Sequence, residues 1–189
     1  ATFRHEEFAE YKATRQKAPD ELHTQVPLVK EMLNGFGIPI FEKEGFEADD
    51  LIGSLASIAK KEKDLQVIIM TGDLDTLQLV DEDKVVVLTL RKGVTDTVLY
   101  DEKGVQTRYG LPPEQLVDFK GLKGDPSDNI PGVPGIGDKT ASNLLQEFKT
   151  LENLYKAIEN DAVPSISAKL KEKLIEHKDM AFFSKHLAS

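Results

Sequence analysis

Seven carboxylates fall in three short runs, Glu47-Ala48-Asp49-Asp50, Asp73-Leu74-Asp75 and Asp125-Pro126-Ser127-Asp128, each beside a turn or a helix start. Like charges brought close together repel unless cations sit between them. Hard oxygen donors in this number suit Mg²⁺ or Mn²⁺, and two such ions a few ångströms apart are the apparatus of phosphodiester cleavage. A fourth run, Gly132-Val133-Pro134-Gly135-Ile136-Gly137, follows the third at once. Gly135 and Gly137 permit positive φ and close backbone approach, and amides ahead of a helix make a phosphate site. Lys139 adds charge there without reading bases. A glycine–hydrophobic–glycine turn between helices is the signature of a helix-hairpin-helix element. It is not a P-loop, because the Gly-Lys-Ser/Thr ending is missing.

Each acidic run also has an ordinary reading. Glu47 and Asp50 share a helix face, and Asp49 and Asp50 sit where the helix dipole favours negative charge, as a capping cluster would. Asp73 and Asp75 follow a strand and could be a turn plus an N-cap. Asp125 and Asp128 could be turn formers. Singly these readings hold or tie; jointly, with one pair beyond the carboxyl end of a strand, the acids point to a metal site. Tyr11, Lys12 and Arg15 would share a helix face, with Lys12 and Arg15 placed to stabilise a scissile phosphate and Tyr11 to stack on a base. The alternative is an exposed amphipathic helix. His5, His23, His177 and His186 show no metal-ligand spacing.

The elements that must carry these groups alternate. Residues 3–17 read as a polar helix or arm. Pro19-Asp20 starts a helix with Leu22, Val26, Val29, Leu33 and Phe36 near a 3.6 period, kinked at Pro27 and ended by Asn34-Gly35. Asp49 and Asp50 open a helix with Leu51, Ile52, Leu55, Ile58 and Ala59 on one face. Gln66 to Met70 reads as a buried strand running into Asp73, and strand–helix alternation predicts a mostly parallel α/β sheet. Val85 to Leu90 and Thr97 to Tyr100, with a turn at Lys92-Gly93, read as a hairpin. Beyond residue 110 helices take over: one from Pro112-Pro113 to Lys120, one opened by Gly137-Asp138, one capped by Thr150 and a last long one capped by Ser167. The domains are therefore expected at 1–110 and 111–189.

At 189 residues, with 40% hydrophobic and 30% charged, the chain is long enough for a substantial domain. It has no cysteine, which excludes disulfides and thiolate metal sites and fits a reducing, cytoplasmic setting. No apolar run has the length of a membrane span. The net charge of −9 argues against a nucleic-acid partner only on average. Seven of the 33 acids lie in the three runs, where two divalent cations would offset four charges, while Arg4, Lys12, Arg15 and Lys17, then Lys120, Lys123 and Lys139, form local basic clusters.

With these residues in hand the chain resembles the 5′-nuclease superfamily: the flap endonucleases and the 5′→3′ exonuclease domain of bacterial DNA polymerase I. The stretches that carry the resemblance are Phe3-Arg4-His5, Tyr11-Lys12-Ala13-Thr14-Arg15, Glu47 to Asp50, Thr71 to Asp75, Gly121 to Ile130, Pro131 to Thr140 and Met180 to Lys185. The resemblance implies a PIN-like α/β nuclease core with a helical arch (1–35) and a C-terminal helix-hairpin-helix subdomain. It implies Glu47, Asp49 and Asp50 at a first metal, Asp73 and Asp75 between sites, and Asp125 and Asp128 at a second. Lys12 and Arg15 would stand in the arch; Arg4, Tyr11, Lys123, Gly135, Gly137, Lys139 and Thr140 would meet DNA. Carbonyls of Val133 and Ile136 would hold a K⁺. The implied substrate is DNA with a 5′ flap or nick, and the implied parent chain carries a polymerase domain. The family opens with two strands that each end in a metal-binding Asp; both would precede Ala1, so the core is expected to be N-terminally incomplete. Two other classes also fit the residues: a non-catalytic DNA-binding module, and a metal-dependent phosphatase or ribonuclease.

Overall fold

The structure, a computed structural model, describes residues 2–92 and 95–189. Its first part runs through α1 (Phe3–Glu7), α2 (Asp20–Gly35) and α3 (Ala48–Ala59). The arm between α1 and α2 is not a helix. Lys12 adopts φ 56°, and its N–H donates to the Asp128 carbonyl at 2.9 Å, so the segment is bent by a long-range bond. Tyr11, Lys12 and Arg15 therefore share no helix face. α2 has the predicted bounds, with Pro27 inside it, but none of its side chains is buried and Phe36 at its end is 74% exposed.

Strands β1 (Val67–Thr71), β2 (Val85–Lys92) and β3 (Asp96–Tyr100) form one sheet in the order β1-β2-β3. β1 pairs parallel with β2, Val67 opposite Val85, and β2 pairs antiparallel with β3, Val87 opposite Tyr100. The sheet is mixed rather than mostly parallel. A strand returning after a short turn can only lie antiparallel, whereas β1 and β2 are joined by a longer crossover through a 3-10 helix (Leu74–Leu79). The turn expected at Lys92-Gly93 falls on residues 93–94, outside the described residues. β1 is half-buried rather than buried. Ile69 faces the core, while Ile68 and Met70 on its other face are exposed, Met70 by 66%, since none of the described residues packs over that side of this edge strand.

Leu77, Val85, Val87 and Val105 are fully buried between the sheet, the 3-10 helix and α4 (Glu102–Tyr109). The helical part then comprises α5 (Leu116–Lys123), α6 (Asp138–Phe148), α7 (Leu151–Glu159), α8 (Ala168–Glu176) and α9 (Lys178–Ala188), around Leu122, Leu145, Leu151, Leu154 and Leu174. Thr150 and Ser167 cap α7 and α8 as expected, their hydroxyls accepting from Asn153 and Leu170 N–H. The last long helix is two, broken at His177. Gly124 and Gly132 have φ of 78° and 62°, and a Cβ on Gly132 would lie 2.2 Å from the Gly124 nitrogen. This backbone crossing ties the end of α5 to the start of the glycine run and sets the Asp125 loop beside it.

Candidate metal centre and nucleic-acid interface

The acidic runs reach one region from three elements. Glu47 and Asp50 stand at the start of α3, Asp73 and Asp75 at the start of the 3-10 helix, and Asp125 and Asp128 in the loop after α5. A cleft of about 740 Å³ is lined by Glu47, Asp49, Asp50, Asp75 and Asp128. Burial lifts the Asp49 carboxyl above its usual range, and the charges of Asp73 and Asp75 lift it further. Burial also lifts Asp75, outweighing the Lys120 ammonium beside it, while Asp73 and Asp125 push the same way. Asp49 and Asp75, lifted by burial and by neighbouring carboxylates, are hard oxygen donors of the kind that a divalent cation relieves, so this pair fits such an ion.

The local capping roles are present too. Asp50 accepts the Glu47 N–H at 2.8 Å, Asp73 accepts the Asp75 N–H at 3.0 Å, and Asp125 accepts the Ser127 N–H at 2.9 Å. Among the described residues no three of these carboxylates close into a ready coordination shell. Basic side chains stand between them. Lys12 Nζ lies 2.7 Å from both Glu47 oxygens and 3.7 Å from Asp128, and Arg15 bonds the other Asp128 oxygen.

Arg4 and Tyr11, expected on DNA, lie inside the protein instead. Arg4 donates to both Asp50 oxygens at 2.8 and 3.0 Å and to the Leu187 and Ser189 carbonyls. Burial raises the Asp50 pKa, but Arg4 and the Glu47 N–H more than reverse this and hold it below its usual range. Tyr11 is 3% exposed, and its hydroxyl donates toward Glu47 and Asp128. A ring packed with Ile130 and Leu187 has no free face for a base.

Lys120 lies inward too. Grouped above with the basic cluster around the glycine run, it lies between Asp75 and Asp125, paired with both, at 2.7 Å from the latter. The available signal was its position in α5 between buried Phe119 and the buried pair Gly121 and Leu122.

In the glycine run, Gly135 has φ 76° and is exposed, but Gly137 has φ −104° and serves as the N-cap of α6, so only the first uses glycine's left-handed freedom. Val133 and Ile136 bury their side chains, and the Val133 carbonyl accepts the Ile136 N–H at 3.0 Å. Lys139 is exposed and Thr140 half-buried on α6, while Lys123 is tied to Asp138 at 2.6 Å. The Lys173 ammonium, not singled out in the sequence, lies 2.6 Å from where a Gly135 Cβ would stand.

An α/β layer and a helical layer that meet at an acidic cleft, beside a glycine-rich interhelical turn, define a nuclease-type fold. The model of the 5′-3′ exonuclease N-terminal resolvase-like domain matches residues 1–110, and that of the 5′-3′ exonuclease C-terminal SAM fold matches residues 111–189. The chain belongs to the 5′-3′ exonuclease family, as its motifs led us to expect. DNA polymerase I of Bacillus caldotenax is 50% identical over 188 residues, covering 100% of this chain and 21% of that protein. The chain thus spans about a fifth of the length of the curated relatives it matches. T5 5′-exonuclease with bound divalent zinc superposes with a TM-score of 0.78 at 26% identity, over 100% of this chain and 70% of that one. The T5 D15 flap endonuclease in a pseudo-enzyme-product complex with DNA and metal ions gives 0.77 at 25% identity, again over 100% and 70%. Among the described residues no helix is long and apolar enough to cross a membrane.

Proposed function

We propose that this chain is the 5′-nuclease part of a longer, cytoplasmic DNA polymerase I-type protein, hydrolysing DNA phosphodiesters at 5′ ends, flaps or nicks in replication and repair. The observation that carries the proposal is the meeting of acids from three separate elements in one cleft, with Lys12 and Arg15 across their outer edge. The T5 relatives hold divalent metals, and one also holds DNA, on the same fold. Residues 1–110, with the arch at 1–35, form the nuclease core in this reading, and 111–189 bind DNA.

Glu47, Asp49, Asp73, Asp75, Asp125 and Asp128 would hold two Mg²⁺ or Mn²⁺ ions. Asp50, with both oxygens on Arg4, positions the α3 start rather than serving as a free ligand. Bound ions of this kind supply an activated water and stabilise the leaving oxygen. Lys12 and Arg15 neutralise charge on the scissile phosphate. Amides at Gly135 and Gly137, with Lys139, Lys123 and Thr140, hold the backbone of duplex DNA, and the Val133 and Ile136 carbonyls seat a K⁺ beside it.

The test is cleavage of a 5′-flap duplex in Mg²⁺ or Mn²⁺ by a longer chain that carries the two N-terminal strands the resemblance implies, and by its Asp73→Asn variant. Asp73 raises both Asp49 and Asp75 and so lies at the electrostatic centre of the group. Cleavage should fall by several orders of magnitude, with flap binding in Ca²⁺ little changed. Tight binding without cleavage in any metal by the unaltered longer chain would favour a non-catalytic DNA-binding module.

A further inference from the structure

We infer that Lys120 is an internal competitor of the metal: it holds Asp75 and Asp125 together as a built-in cation and must yield these oxygens when a divalent ion arrives. The inference rests on the reading that the acidic cleft binds such ions. Four observations carry it. Lys120 pairs with Asp75 and Asp125 at once, and so spans carboxylates of the 3-10 helix and of the α5 loop. Its side chain is largely buried, and it borders both the acidic cleft and a second cavity lined by Leu74, Phe119 and Asp125, so its ammonium sits among the carboxylates rather than out in solvent. Asp125 is otherwise saturated, its second oxygen taking the Ser127 N–H at 2.9 Å and hydroxyl at 2.6 Å, so an ion cannot bind Asp125 without sharing or displacing the lysine. Finally, Lys12 and Arg15 approach from a bent arm that is exposed from Ala13 to Lys17, whereas Lys120 is fixed by α5, between the buried side chains of Phe119 and Leu122. Its charge therefore stays close to any ion held there, and close like charges at a part-buried site oppose binding.

A lysine in this place has two consequences. It prevents Asp75 and Asp125 from repelling each other apart while no ion is bound, and it lowers the affinity for the ion that comes. Lys120 is in this sense a positioning residue.

The experiment uses the 189-residue chain alone, without DNA. Mn²⁺ and Ca²⁺ isotherms are measured by calorimetry for the unaltered chain, Lys120→Met and Lys120→Arg, together with melting temperatures in metal-free buffer. Lys120→Met should bind the ion about tenfold more tightly, as expected for loss of one close like charge, and should melt at a lower temperature without metal. Lys120→Arg should keep near-normal affinity. An unchanged isotherm for Lys120→Met would make the lysine purely structural, and weaker binding would make it a template rather than a competitor; either overturns the inference. No binding by any of the three chains would overturn the metal reading itself. Should Lys120→Met not fold, Nζ resonances in the unaltered chain decide: Ca²⁺ should shift the Lys120 signal and speed its proton exchange, and a signal that stays fixed while the ion binds refutes the displacement.

Discussion

At the residue scale, the same acids do two jobs, and their titration separates them. Burial works against the charged form of Asp125, yet the Lys120 ammonium and the Ser127 donors hold its pKa down to about 2. The usual value is about 4. A depressed folded-state pKa means that the unfolded chain binds the proton more readily. The stability this gives is complete above about pH 4 and is lost as pH falls through about 2. In metal-free buffer the unaltered chain should exceed Asp125→Asn by about 2 kcal/mol in urea denaturation near pH 6, with the gap closing steadily below pH 4. A gap independent of pH would mean that the ion pair contributes nothing. The residue types at this site were legible because they are local: three acidic runs at turns and helix starts are visible without a fold. The inward turn of Arg4, Tyr11 and Lys120 was not. Burial of a polar side chain is decided by what packs over it, here Leu187, Ile130 and the 3-10 helix, which lie far away in sequence.

At the element scale, helix caps were read well and strand environment poorly. Thr150, Ser167 and the Gly137 start of α6 announce themselves through short-range hydrogen-bonding chemistry. Ile68 and Met70 look like core residues, yet among the described residues their face of β1 is exposed, and a strand's neighbours cannot be read from the strand itself. The glycine run illustrates the same limit. Sequence marks Gly135 and Gly137 as the special positions, but the backbone crossing makes Gly132 the demanding one. Its φ of 62° and the 2.2 Å approach of Gly124 leave no room for a methyl group, whereas a Cβ on Gly137 meets nothing within 4 Å. Gly132→Ala should cost about 3 kcal/mol or more through strain and overlap, while Gly137→Ala should cost about 1 kcal/mol or less at an N-cap. Chemical denaturation ranks the two. Gly137→Ala should still weaken duplex binding, because a methyl group stands where the phosphate backbone comes close to the α6 start. Unaltered affinity in that folded variant would remove the turn from the interface.

At the scale of the whole molecule, the arrangement of charge links the two halves and their two ligands. The chain carries a net charge of −9, yet its acidic cleft is internally balanced by cations from distant segments. Lys12 on Glu47 joins the arm to α3, and Arg15 on Asp128 joins the arm to the helical part. These are the same two cations that the proposed mechanism assigns to the scissile phosphate. A divalent ion taking up Glu47 and Asp128 therefore releases two positive charges and cancels a negative field in one event. DNA should bind more tightly once the ion is present, although the glycine turn proposed to hold its backbone lies elsewhere. Linkage requires the converse with the same factor: DNA must tighten the ion. The expectation is that Ca²⁺ raises affinity for a 5′-flap duplex by about tenfold at constant ionic strength, about 1.4 kcal/mol of coupling. In Lys12→Ala/Arg15→Ala there are no parked cations to free, and the remaining Ca²⁺ effect should be small. Fluorescence anisotropy on the four combinations of protein and ion gives the coupling directly. If the double variant shows the same Ca²⁺ enhancement as the unaltered chain, the ion acts on DNA through the field alone, and Lys12 and Arg15 are not held in reserve by Glu47 and Asp128.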